Sequence, residues 1–97
     1  MLRIRAAAPL EGRLLRLTLT DGTVVERDIS DMLWGQFFAR LATDHGYFQR
    51  VRVRHGTVAW PDDVDIAPEI LIWGGPDPDP REGRVPPPFL RVQSPQR

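Results

Sequence analysis

The stretch that decides the fold is Arg50-Val51-Arg52-Val53-Arg54-His55-Gly56-Thr57-Val58-Ala59-Trp60. Two runs of alternating residues flank His55-Gly56, a dipeptide suited to a two-residue hairpin turn. That turn fixes the register. It sets Val53 opposite Val58 and Val51 opposite Trp60 on one face. The other face pairs Arg54 with Thr57 and Arg52 with Ala59. Apolar side chains meet on one side, and charged or small ones on the other. A slip of one residue would scramble both faces, so turn and pattern specify the same hairpin.

Upstream, residues 2 to 7 alternate apolar and charged, the mark of a half-buried strand, and Pro9 ends it. Residues 13 to 19 predict a second strand, with Leu15, Leu17 and Leu19 on one face. Residues 23 to 28 predict a third. A two-residue loop at Asp21-Gly22 would pair Leu17 with Glu26, which is poor. A three-residue loop, Thr20-Asp21-Gly22, places Gly22 in the left-handed position and pairs Leu17 with Val25 and Arg16 with Glu26. The longer loop is therefore expected. Between residues 29 and 48, Ile29, Leu33, Phe37 and Leu41 recur at four-residue spacing. They predict an amphipathic helix capped by Ser30, with Asp31 in its first turn. Gly35 costs such a helix about 1 kcal/mol relative to Ala and invites a break into two pieces. Gly46 is the expected stop.

Downstream, Pro61 to Asp65 reads as a loop. Asp65 is expected to cap a short helix from Ile66 to about Leu71, with Pro68 and Glu69 in its first turn. Seven of the ten prolines lie in the last quarter of the chain. Proline lacks the amide N–H and fixes φ, so Gly74 to Pro80 cannot continue a helix or a central strand. The division predicted is a compact domain at 1–73 and a proline-rich tail at 74–97. A domain that small buries a marginal core, so a docked tail or a homodimer would support it.

The expected fold class is α+β. It comprises a small antiparallel sheet of about five strands, a three-stranded meander plus the hairpin, with one or two short helices. The chain has no cysteine, which excludes disulfides and thiol chemistry, and its two histidines cannot form a His-rich metal site. All 13 basic residues are arginine and they balance 13 acidic ones, which argues against duplex DNA binding. No apolar run nears the roughly 18 residues of a membrane span, and no signal-peptide pattern is evident, so a cytoplasmic location is expected.

From Val51 to Leu71 the chain resembles a bacterial family, the domain of unknown function 2442. The resemblance rests on a hairpin ending in Trp60-Pro61, on Gly56 and Asp65, and on the short segment Pro68-Glu69 followed by Leu71. Upstream, Leu17, Leu19, Asp21, Gly22 and Asp28 fit, as do Phe38, Leu41 and Phe48; the likeness covers roughly residues 2 to 73. Asp63 stands where the family usually has Gly, a substitution Asp tolerates in left-handed backbone. Ile72 stands where Tyr is common, and the tail has no counterpart. The resemblance implies an α+β fold with an antiparallel sheet and no established activity. Some relatives carry a helix-turn-helix, for which the proline-broken tail leaves no room. Others are encoded beside a second small protein, in the manner of toxin–antitoxin pairs.

The expected function is accordingly a protein-interaction or regulatory module, one half of such a pair, with another small protein or a second copy as its partner. The candidate partner-binding residues are Arg50, Arg52, Arg54, Trp60, Asp65, Glu69 and Trp73. The arginines share a strand face that Arg3 and Arg5 extend into a basic stripe. Trp60-Pro61 could line a peptide groove, although the register turns Trp60 inward. Trp73 sits where it can hold a tail proline or face a partner. Two other readings stand beside this one. Asp62, Asp63, Asp65 and Glu69 could hold a divalent cation in a small metal-dependent enzyme, although the spacing is not that of an EF-hand. The Arg face could bind RNA or single strands, but it has valines where stacking aromatics are needed. No catalytic residue, metal ligand set or cofactor is expected.

Overall fold

The computed structural model describes residues 1–93; the end of the expected tail, 94–97 with Pro95, lies outside the described residues. The chain forms β1 (Ile4–Pro9), β2 (Leu14–Leu19) and β3 (Val24–Asp28), then the helical pieces α1 (Ala39–Thr43) and α2 (His45–Phe48). There follow β4 (Arg52–Arg54), β5 (Thr57–Trp60), β6 (Val64–Asp65), α3 (Pro68–Trp73) and β7 (Phe89–Arg91). The class is α+β, as expected. The strands form two sheets rather than one: β1-β2-β3-β7 and β4-β5-β6. All pairings are antiparallel except β3 with β7.

The meander has the expected register, with Leu17 opposite Val25 and Arg16 opposite Glu26. Its turn is the three-residue loop: the Leu19 amide bonds the Thr23 carbonyl at 2.8 Å, and Gly22 has φ 90°. Leu15, Leu17, Leu19 and Val25 are buried on the inner face. The hairpin pairs Arg52 with Ala59, Val53 with Val58 and Arg54 with Thr57 as expected, but its ladder starts at Arg52 and does not include the expected pair of Val51 with Trp60. Its turn residues His55 and Gly56 take φ 54° and 79°, the left-handed pair that a two-residue turn of this kind requires. The Ile4 amide bonds the Gly56 carbonyl at 2.9 Å and so joins the two sheets.

Four local expectations are corrected. Ser30 is not the cap of its segment. Its N-cap is Ile29, which makes no side-chain cap bond; just before it Asp28 closes a local turn, its Oδ1 accepting from the Ser30 amide at 3.0 Å and hydroxyl at 2.6 Å. Beyond a single 3-10 turn at Ser30–Met32, the chain does break at Gly35, φ 85°. Gly46 is not a stop but lies inside α2, which Asp44 caps by accepting from the Tyr47 amide at 3.1 Å. Asp65 caps nothing; it lies in β6 opposite Ala59. The helix there begins at Pro68, because proline disfavours the helical region in the residue before it, and Ala67 sits at ψ 137°.

The core is continuous across both sheets. Fully buried Phe48 and Trp60 stack with centroids 6.3 Å apart, and the Trp60 indole N–H donates to the Phe48 carbonyl at 2.8 Å. Gly74 ends α3 in left-handed backbone, its amide bonded to the Ile70 carbonyl. The chain then runs through the proline segment and returns to the first sheet, where Val92 is fully buried in the core.

Candidate interaction surface

β3 is the inner neighbour of β7, and β7 forms one edge of its sheet. The Glu26 amide donates to the Pro88 carbonyl and the Val92 amide to the Asp28 carbonyl, each at 2.8 Å. Between them Glu26 faces Phe89, Arg27 faces Leu90 and Asp28 faces Arg91. Three prolines at 86–88 lead into β7. Without N–H groups they cannot form a ladder of their own, so pairing begins only at the Pro88 carbonyl.

Arg27 anchors this region from within. Strand alternation puts it on the same face as Val25, and it is fully buried. Its guanidinium donates to the Leu71 carbonyl at 2.5 Å, to Ile72 at 3.0 Å and to Glu26 at 2.7 Å. It thereby satisfies carbonyls that the end of α3 leaves open. Burial pushes its pKa down to about 10, so it stays charged at neutral pH. Arg13 does the same for α1, donating to Leu41 at 2.8 Å and Ala42 at 3.0 Å while lying over the Phe48 ring. Neither role was read from the sequence. For Arg27 the signal was present, since a residue two positions from an inward Val25 also points inward.

Between tail and domain lies a cavity of about 480 Å³. Trp73 forms one wall, with Met1, Leu2, Pro78 and Pro80 around it and Asp21, Asp77 and Asp79 among the polar groups. Arg3 grips Asp77 through two contacts at 3.3 and 3.2 Å, which fastens the tail to the start of β1. Asp79 is held by Arg81 at 2.7 Å, and the side-chain bond lowers its pKa. The Asp21 pKa is also lowered, first by the Thr23 backbone hydrogen bond. The Arg84 guanidinium lies 5.3 Å from the centroid of Trp73.

The predicted residues do not come together as one site. Trp60 is corrected: it is fully buried and offers no surface. Arg50, Arg52 and Arg54 are exposed, and Arg54 lies 3.6 Å from Asp63. Arg3, the expected extension of the stripe, is committed to Asp77. Asp62 and Asp63 take left-handed φ of 68° and 61°, and Asp62 lies 3.7 Å from Arg40. Asp65 is exposed and Glu69 partly buried at the start of α3. Among the described residues, no group of three or more His, Cys, Asp or Glu side chains is placed to hold a metal ion. Nor is any helix long and apolar enough to cross a membrane. Trp73 alone of the candidates lines the cavity between tail and domain. Phe37, expected on the apolar face of a helix, is corrected: it is 61% accessible, and Trp34, on the other side of Gly35, is 60% accessible.

The fold is thus a small two-sheet α+β domain with a strand added at one edge. The model of a family described as protein of unknown function (DUF2442) matches residues 4–77, and the chain belongs to that family. No curated protein and no solved structure matches it. The matched region ends before β7 begins.

Proposed function

We propose that this chain is a protein-interaction module, the regulatory half of a two-protein pair of the toxin–antitoxin kind working in a bacterial cytoplasm. The observation that carries the reading is the pairing of β3 with a strand from outside the family-matched region. An edge that takes an added strand through main-chain bonds, with pockets for alternate side chains, is a known mode of peptide recognition. Leu90 and Val92 supply those side chains here, one partly and one fully buried. The partner's contribution is an extended, proline-preceded segment of the same pattern, displacing β7 from the β3 edge. The domain is 1–73, and 74–97 is the element that responds to the partner.

The test is co-purification of the full chain with each small protein encoded beside it, followed by hydrogen exchange on any complex. A partner that takes the edge raises exchange at residues 89 to 92 while residues 25 to 28 stay protected. A stable complex with β7 protection unchanged refutes the strand-acceptor reading. The acidic-turn enzyme reading gains nothing from a geometry in which Asp62 and Asp63 each face an arginine.

A further inference from the structure

We infer that the cavity beside Trp73 is a binding site for an arginine side chain of a partner peptide, and that Arg84 of the tail fills part of it in cis. Its volume, about 480 Å³, falls in the range of small-ligand pockets. Its walls are of two kinds. Trp73, Leu2, Pro78 and Pro80 offer an aromatic face and apolar sides for a side-chain stem. Asp21, Asp77 and Asp79 are the acidic lining residues, and Arg84 is the one basic side chain among them. Trp is the best ring for a cation, and a planar guanidinium stacks on it.

The Arg84 contact shows the chemistry the site accepts. The Arg84 guanidinium lies over the ring at 5.3 Å, and Arg84 makes no ion pair among the described residues. Asp77 is neutralised by Arg3 and Asp79 by Arg81, whereas Asp21 makes no salt bridge among the described residues: one carboxylate oxygen accepts from the Thr23 amide at 3.0 Å, and Arg5 acts on it only through space. The site therefore retains a carboxylate for a second cation. Arg84 enters from an exposed segment, so its displacement disturbs no core residue. The inference rests on the interaction reading only in assigning the arginine to a partner. Occupation of the cavity does not require β7 to leave.

The test uses the full chain with the probe acetyl-Gly-Arg-Gly-amide and its citrulline counterpart, which keeps the shape and loses the charge. Indole N–H signals are followed by NMR, with that of Trp73 assigned through Trp73→Phe. The arginine probe is expected to shift the Trp73 signal and leave Trp34 and Trp60 unmoved. Arg84→Ala is expected to tighten probe binding about fivefold by removing the cis competitor. Asp21→Asn is expected to weaken it. Equal response to the citrulline probe overturns the inference, as does no shift at Trp73 in Arg84→Ala at tens of millimolar probe. Because the assay reads no partner, its failure leaves the strand-acceptor edge intact, and an unchanged β7 in the exchange experiment leaves this site intact.

Discussion

Replacing Arg27 by methionine sets two large effects against each other. The substitution removes a buried positive charge, whose displacement from the ordinary guanidinium range to about 10 corresponds to roughly 3 kcal/mol of burial cost. It also removes three donors to carbonyl oxygens of Leu71, Ile72 and Glu26. Hydrogen bonds to a charged group contribute about 1.5–3 kcal/mol each, and a buried acceptor left unpaired costs about 1–3 kcal/mol. Three such losses exceed the relief of burial. The expected outcome for Arg27→Met is a net destabilisation of about 2–3 kcal/mol, since breaking a buried polar arrangement from one side exposes the other side's needs. Urea denaturation measures it, with unchanged slope marking an unchanged extent of unfolding. In a domain this size the loss lowers Tm by roughly 10–20 °C. The pH dependence adds a second check. The folded pKa is depressed, so between about 10 and the ordinary guanidinium range the unfolded chain binds more protons. The native protein should therefore gain stability relative to Arg27→Met as pH rises through about 10, and the difference should be flat from pH 6 to 9. A variant as stable as the native protein at neutral pH would refute the reasoning and show that the burial cost wins.

Further outcomes follow from other contacts. Val92→Ala, in the fully buried residue after β7, should cost about 2 kcal/mol by denaturant titration; a silent change would mean that the tail does not share the core. Trp60→Phe leaves the Phe48 carbonyl without its indole donor and should cost about 1–3 kcal/mol, read as a drop in Tm. Asp63→Gly relieves a left-handed φ of 61° and gives up only an exposed ion pair with Arg54, so it should raise stability by about 1 kcal/mol. On the acid side, the Asp28 pKa is lowered first by its Ser30 side-chain bond. Its contribution is present above the unfolded pKa and lost as pH falls through the lower folded value; Asp28→Asn should flatten the fall in stability below about pH 4.

The hairpin and the meander were legible because strand registers are set by local chemistry. His55-Gly56 and Thr20-Asp21-Gly22 close short loops, and the period of two then dictates which of Val53, Val58, Leu17 and Val25 meet. Gly35 announced the break in the helical segment for the same local reason. Neither Ser30 nor Asp65 caps a helix: the turn at Ser30–Met32 and α3 both start without a side-chain cap bond, and the constraint that Pro68 puts on Ala67 sets where α3 begins.

What the sequence alone determined, then, is the family, the α+β class and the pairing of neighbouring strands, all products of interactions within a few residues of a turn. Tertiary structure alone decided the rest. The chain returns after a proline-rich passage to lay Phe89–Arg91 beside β3, Arg27 reaches across 44 residues to close the end of α3, and Arg84 meets Trp73 over a cavity. Alternation turns Arg27 inward, but no local pattern names the partners in these contacts. They depend on burying Val92 and satisfying carbonyls at the end of a helix, demands that arise only once the core has been assembled.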